Sequence, residues 1–178
     1  MVNLAQHRDR SSHRHQPRSM VNSVGQPALG ERSHPCDASN KRLLREGHPL
    51  EALQQCEAAL AINPHRVENW CDRAEVLACL NRYEEALDNV EQAQELAGFS
   101  DPNIWLQKAT ILILLARYQE ALSCCRYVLQ RHANHLQAWL FQGVALQRMG
   151  HYQEAYRSYR QVITLTQKTV QATAKTAP

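Results

Sequence analysis

The chain has 178 residues, of which 44% are apolar and 21% charged, the usage of an ordinary globular domain and not of a fibre or a collagen. Its formal charge of +3 lies wholly in residues 1–35, where Arg8, Arg10, Arg14, Arg18 and Arg32 stand against Asp9 and Glu31 (5 − 2 = +3), so the remainder is neutral. The longest apolar run, residues 109–116 with Thr110 inside it, falls well short of the roughly 20 residues of a membrane-spanning helix.

Residues 1–35 form a basic, His- and Arg-rich leader too polar to support a core, and we read them as a disordered extension. An organelle-targeting segment and a nucleic-acid contact are the alternatives. Both are weakened by the lack of amphipathic spacing and of aromatic residues for stacking. The leader also lacks the apolar core of a secretory signal, which places the protein in the cytoplasm with reduced thiols. The cysteines fit that reading, because none of Cys36, Cys56, Cys71, Cys79, Cys124 and Cys125 forms a CxxC pair. His7, His13 and His15 would make only a weak, unspecific metal site, so neither a metal nor a cofactor is expected.

From residue 36 onward the sequence repeats. The first copy, about 36–66, is degenerate: Cys36 and Asn40 stand where later copies carry an aromatic and a small residue, and Pro35 lies beside them, so its first helix is predicted to be short or frayed. Its second helix, residues 49–62, is regular, with Ala52, Cys56 and Ala59 on one face and Asn63-Pro64 as a stop. Three further copies follow at 67–101, 102–135 and 136–168. Each opens with a tryptophan, a small residue and a leucine at i, i+4 and i+7: Trp70, Ala74, Leu77; Trp105, Ala109, Leu112; Trp139, Gly143, Leu146. That spacing is one stripe of a helix. Each continues with a second stripe: Tyr83, Ala86, Val90, Ala93; Tyr118, Ala121, Cys125, Val128; Tyr152, Ala155, Tyr159, Val162. From tryptophan to tryptophan the steps are 35 and 34 residues. The short links Gly47-His48, Asn81-Arg82, Ala116-Arg117 and Gly150-His151 make each pair antiparallel, with glycine supplying a left-handed cap. Ser100-Asp101-Pro102 offers an N-cap followed by proline at the first helical position. The last helix is predicted to end near Thr166, leaving residues 169–178 as a polar tail too short for a capping helix.

This arrangement of tryptophan, tyrosine and alanine at a period of 34 resembles the tetratricopeptide repeat over residues 36–168. The resemblance implies an all-α, right-handed superhelical solenoid of antiparallel helix pairs, with Ala86, Ala121 and Ala155 facing Ala74, Ala109 and Gly143 where two helices approach closely. It also implies that the first helix of each pair lines a concave groove that holds a protein or peptide. In that register the partner-binding positions are Glu68, Asp72 and Glu75; Asn103, Leu106, Gln107, Ile113 and Leu114; and Gln137, Leu140, Phe141, Val144 and Arg148. The lysine, asparagine and arginine set with which chaperone-binding members clamp a terminal carboxylate is missing, since in the matching register the first three copies give Asp37, Lys41, Asp72, Asn103 and Gln107, and the last three Cys71, Glu75, Gln107, Gln137 and Phe141. Leu106, Ile113, Leu114, Leu140, Phe141 and Val144 form instead an apolar strip suited to an apolar segment, and the acids at one end favour a basic flank. The strip is open to four readings: a foreign partner, cover by the chain's own tail, self-association as a homo-oligomer, or burial by tight packing between neighbouring first helices.

Catalysis is not expected. The sequence contains no glycine-rich phosphate loop, HExxH or GxSxG motif, and Glu84, Glu85, Glu120 and Glu154 sit in first helical turns where they complement the helix dipole. Cys124 and His132 lie about two helical turns apart with no third group to orient them. The expected function is that of an adaptor, assembly factor or small chaperone. A structural oligomerisation module is the alternative, and a nucleic-acid contact through the leader a third.

Overall fold

The computed structural model describes the backbone of residues 35–176 and the side chains of residues 39–171; the leader lies outside the described residues. Eight helices follow in order: α1 Pro35–Glu46, α2 Pro49–Ile62, α3 Val67–Cys79, α4 Tyr83–Ala97, α5 Pro102–Leu114, α6 Tyr118–Arg131, α7 Leu136–Arg148 and α8 Tyr152–Thr176. Among the described residues no strand occurs. Helices pair as α1/α2, α3/α4, α5/α6 and α7/α8. Successive first helices touch one another, α1 with α3, α3 with α5 and α5 with α7, whereas second helices touch only first helices. The odd-numbered helices therefore make the inner layer of a solenoid and the even-numbered ones its outer layer.

The four links within pairs have one geometry. Gly47, Asn81, Ala116 and Gly150 take left-handed φ values of 83°, 60°, 57° and 82°. In each, the next residue's N–H donates to the carbonyl five residues back: His48 to Leu43 at 2.8 Å, Arg82 to Leu77 at 2.9 Å, Arg117 to Leu112 at 2.8 Å and His151 to Leu146 at 2.9 Å. This is the Schellman closure of a helix C-terminus. The donor residue is also the N-cap of the following helix, so the chain reverses within two residues. Its side chain reaches the acid three positions on. Arg82 grips Glu85 through two bonds of 2.6 Å, and Arg117 grips Glu120 through two of 2.7 Å. The guanidinium bonds hold the Glu85 and Glu120 carboxyls below the usual carboxylate range. Of these four link residues, Ala116 combines a Cβ and an ordinary helix-forming side chain with the left-handed conformation, so Ala116→Gly is expected to raise stability by about 1 kcal/mol. An increased urea midpoint at unchanged slope would verify it.

Small residues sit where helices approach. Ala52, Ala74, Ala86, Ala109 and Ala121 are fully buried, as are Leu77, Ile111 and Leu112 beside them. Between copies, each tryptophan ties the four-residue loop that precedes its helix. The indole N–H donates to the carbonyl six residues earlier: Trp70 to Pro64 at 2.7 Å, Trp105 to Phe99 at 2.9 Å and Trp139 to Ala133 at 2.7 Å. The Phe99 carbonyl also accepts from the Tyr127 hydroxyl at 3.0 Å, and Tyr127 stacks on Trp105 with ring centroids 4.1 Å apart. Asp101 caps α5, its Oδ1 accepting from the Asn103 N–H at 2.8 Å.

Two expectations are corrected. The first helix is not short: α1 spans 12 residues against 13 for α3, α5 and α7. Asn40 fits the place of a small residue because its amide donates to the Cys56 sulfur at 3.2 Å, while Ser39 bonds Gln55 at 3.0 Å. The last helix does not end near Thr166 but continues to Thr176. No glycine or proline interrupts the sequence before Pro178. The threonines on this segment donate to carbonyls of their own helix, Thr164 to Arg160 at 2.9 Å, Thr166 to Val162 at 2.8 Å and Thr169 to Leu165 at 3.1 Å, so their hydroxyls need no other partner.

Candidate functional site

The inner layer encloses a groove of about 620 Å³ along α3, α5 and α7, reached at one end by Lys41 of α1. The stacking of first helices creates it. Positions one turn apart on α3, α5 and α7 project from the same side of the layer, and the small Ala74 and Ala78 leave room between them. One end is acidic, with Asp72 and Glu75 of α3 beside Asn103 and Gln107 of α5. The other is apolar, with Leu114 and Phe141 above a floor of Leu106 and Ile111.

The polar groups have defined roles. The Gln107 amide donates across helices to the Cys71 carbonyl at 2.7 Å, and the Thr110 hydroxyl donates to Leu106 within its own helix at 3.0 Å. Both bonds give a polar donor of the lining a backbone acceptor. Cys71 and Cys79 line the same groove. Burial, with Glu75 nearby, pushes the Cys79 thiol up, and its side chain is still reachable by solvent.

The sequence-predicted positions separate into two groups. Asp72, Glu75, Asn103, Leu106, Gln107, Leu114, Gln137 and Phe141 surround the groove; Glu68, Ile113, Leu140, Val144 and Arg148 lie outside its lining. Glu68 stands in the first turn of α3 and pairs with Arg66 at 3.2 Å. Ile113 is half-buried against the main core. Leu106 was expected in the exposed strip and is only 3% exposed, because it packs with Val128 of α6 and Ala138 of α7 where one copy meets the next. Leu114 and Leu140 remain open, at 48% and 41% exposure. Ala74 and Ile111 also line the groove and were missed, and so does Lys41, which the sequence reading placed only in the register of a carboxylate clamp. Lys41 is one period before Glu75, and the repeat register is what locates it.

Among the described residues, no group of three or more His, Cys, Asp or Glu side chains is placed to hold a metal ion. Burial pushes the Cys124 thiol up to about 11, which keeps it protonated and poorly nucleophilic at neutral pH. Among the described residues, no helix is long and apolar enough to cross a membrane.

A family model for the tetratricopeptide repeat matches residues 136–169, which are α7 and the larger part of α8. No curated protein sequence matches the chain. Among solved structures, MamA from Desulfovibrio magneticus RS-1 is similar with a TM-score of 0.64 at 20% identity, over 78% of this chain and 77% of that one. Another crystal structure of MamA gives 0.65 at 13% identity, over 74% and 77%. YrrB, a TPR protein with an unusual peptide-binding site, gives 0.58 at 21% identity, over 74% and 67%. At such identities the likeness is one of fold: residues 136–169 match the tetratricopeptide repeat, and over about three quarters of its length the chain shares the fold of these solved proteins.

Proposed function

We propose that the protein is an interaction adaptor that holds a segment of another polypeptide in the inner groove, acting as an assembly factor or small chaperone for that partner. The observation that carries this reading is the pairing of two lining residues, Phe141 and the open Leu114 (with Leu140 exposed next to Phe141 outside the lining), with an acidic end at Asp72 and Glu75. Large apolar residues left open on an inner face are stabilised by covering them, and a segment with apolar side chains followed by lysine or arginine satisfies both ends. Gln137, Asn103 and Arg148 at the margins would give orientation more than affinity. Among the described residues, Lys41 is the one cationic side chain in the groove lining, too few for a carboxylate clamp.

The test is a synthetic peptide array of apolar segments with basic, neutral and acidic flanks, measured by fluorescence anisotropy against the full chain. Basic-flanked peptides are expected to bind best, and Leu114→Glu with Leu140→Glu to weaken them by at least about tenfold, since two open apolar contacts are lost. Glu75→Lys should remove the preference for a basic flank, with an effect that shrinks as salt rises. Bound peptide should also slow alkylation of Cys79, which lines the groove. Binding that ignores all three variants would reject the groove as the site. A dimer in light scattering that Phe141→Glu dissociates would assign the strip to self-association.

A further inference from the structure

Among the described elements α8 leaves open a face that the other second helices have covered. Helices α2, α4 and α6 each pack against two first helices, their own partner and that of the next copy; among the described elements α8 packs against α7 alone. The result can be followed position by position. Leu53, Leu87 and Leu122 hold one register and are buried, while the fourth member of the series, Tyr156, is 63% exposed. Gln94 is buried and Leu60 and Leu129 half-buried at a second register, where Ile163 is 56% exposed. Tyr152 and Val170, also exposed, extend the row on the same helical stripe.

Charge follows the same register. Glu57 of α2 lies 3.5 Å from Arg73 of α3, and Glu91 of α4 lies 2.9 Å from Lys108 of α5, so an acid on the second helix meets a cation on the next first helix. In the third interface Arg126 takes the acid's position and Gln142 the cation's, and the buried Gln142 Oε1 has no hydrogen-bond partner among the described residues. The fourth member of the acid's series is Arg160, exposed on α8. Residues 152–171 carry Arg157, Arg160 and Lys168 against Glu154, a net of 3 − 1 = +2.

We propose that α8 is a docking seat for an amphipathic helix of another protein, lying where a fifth copy's first helix would lie, with its apolar stripe on Tyr156 and Ile163 and an acidic side chain toward Arg160. The helical form of the occupant follows from the three internal seats, each taken by a 13-residue helix. Its acidity follows from the reversal of charge at the paired position. A second copy is a poor match. Another α8 brings the same excess of cations, and α1 presents Ser39 and Arg42 at the registers where α3 presents Arg73 and the buried Val76, with Arg42 exposed and 3.8 Å from Glu46.

The test uses the full chain and two fluorescein-labelled synthetic peptides, residues 66–80 as they stand and the same peptide with Arg73→Glu. The Arg73→Glu peptide is expected to bind roughly fivefold tighter, the ratio a half-shielded ion pair supports, and Arg160→Glu in the chain should reverse the preference. Tyr156→Glu or Ile163→Glu, both at exposed positions and checked by unchanged helical circular dichroism, should abolish binding. The groove variant Leu114→Glu with Leu140→Glu should leave it intact, which separates this seat from the inner groove. Failure of both peptides to bind, a preference indifferent to Arg160→Glu, or loss of binding in the groove variant would each overturn the proposal. So would light scattering that finds a dimer dissociated by Ile163→Glu, which would give the seat to a second copy.

Discussion

Gly143→Ala is expected to lower stability by about 2 kcal/mol, and adding Tyr159→Val is expected to restore most of it. A Cβ at Gly143 would stand 2.5 Å from Tyr159 Cε1, 2.8 Å from Cδ1 and 2.9 Å from Cζ. All three are ring atoms, so the whole ring must move. Moving it strains the 2.8 Å bond from the Tyr159 hydroxyl to Gln147 Oε1 and opens the packing between α7 and α8. Overpacking of this kind costs up to about 3 kcal/mol, of which alanine's better helix propensity returns about 1 kcal/mol. The repeat explains why the pair coexists. At the two registers in question the second copy carries Ala74 with Val90, the third Ala109 with Cys125, and the fourth Gly143 with Tyr159. Where the ring grew, the opposing side chain vanished. The double variant recreates the alanine and valine combination of the second copy, and urea unfolding of the full chain should place it within about 1 kcal/mol of the parent. A single Gly143→Ala chain more stable than the parent would mean that propensity outweighs the clash and would refute the account.

The same register logic separates what was legible in the sequence from what was not. Stripes of tryptophan, small residue and leucine can be read because the helical period forces them onto one face, and the folded chain buries Ala74, Ala109 and their partners as that reading requires. Turn geometry was half legible. Gly47 and Gly150 announce a left-handed residue, whereas Asn81 and Ala116 adopt it only because Schellman bonds to Leu77 and Leu112 impose it. Leu106 shows the limit of face reading. The inner helix must serve both the groove and the next copy, and spacing alone does not tell which of the two a side chain meets. The indole bonds were invisible for a different reason, since they end on backbone carbonyls and leave no mark in residue type. Ion pairs between copies, Glu57 with Arg73 and Glu91 with Lys108, did leave one, a charge pattern repeating at the period of the helices. The length of α8 could also have been inferred from the absence of any stop residue before Pro178.

Alkaline pH should destabilise the solenoid through its buried thiols, with a loss of about 4 kcal/mol from Cys125 alone between pH 9.0 and about 12. Cys125 is fully buried, and removal from water, reinforced by the neighbouring Cys124, pushes its thiol from 9.0 up to about 12. The folded chain thus holds this proton more tightly than the unfolded chain does. Below pH 9.0 both states keep the proton and the full stabilisation is present. Above it the unfolded chain ionises first, and stability drains away until the folded thiol ionises too. Cys124, pushed up to about 11 by burial against the partly offsetting pull of Lys108, acts in the same direction over a narrower window. Tyrosines and lysines also titrate in this range, so the informative quantity is a difference between two chains. Cys125→Val installs the residue that the second copy carries at this register, Val90, itself fully buried, and it removes one titrating group without opening a cavity. Urea unfolding from below pH 9.0 to about 11 should show the parent falling more steeply than the variant, by about 1.4 kcal/mol for each pH unit once the unfolded thiol has ionised. Equal slopes would mean that the packed interface between α5 and α6 admits water to this thiol, and the burial argument for the whole row of small core residues would lose its support.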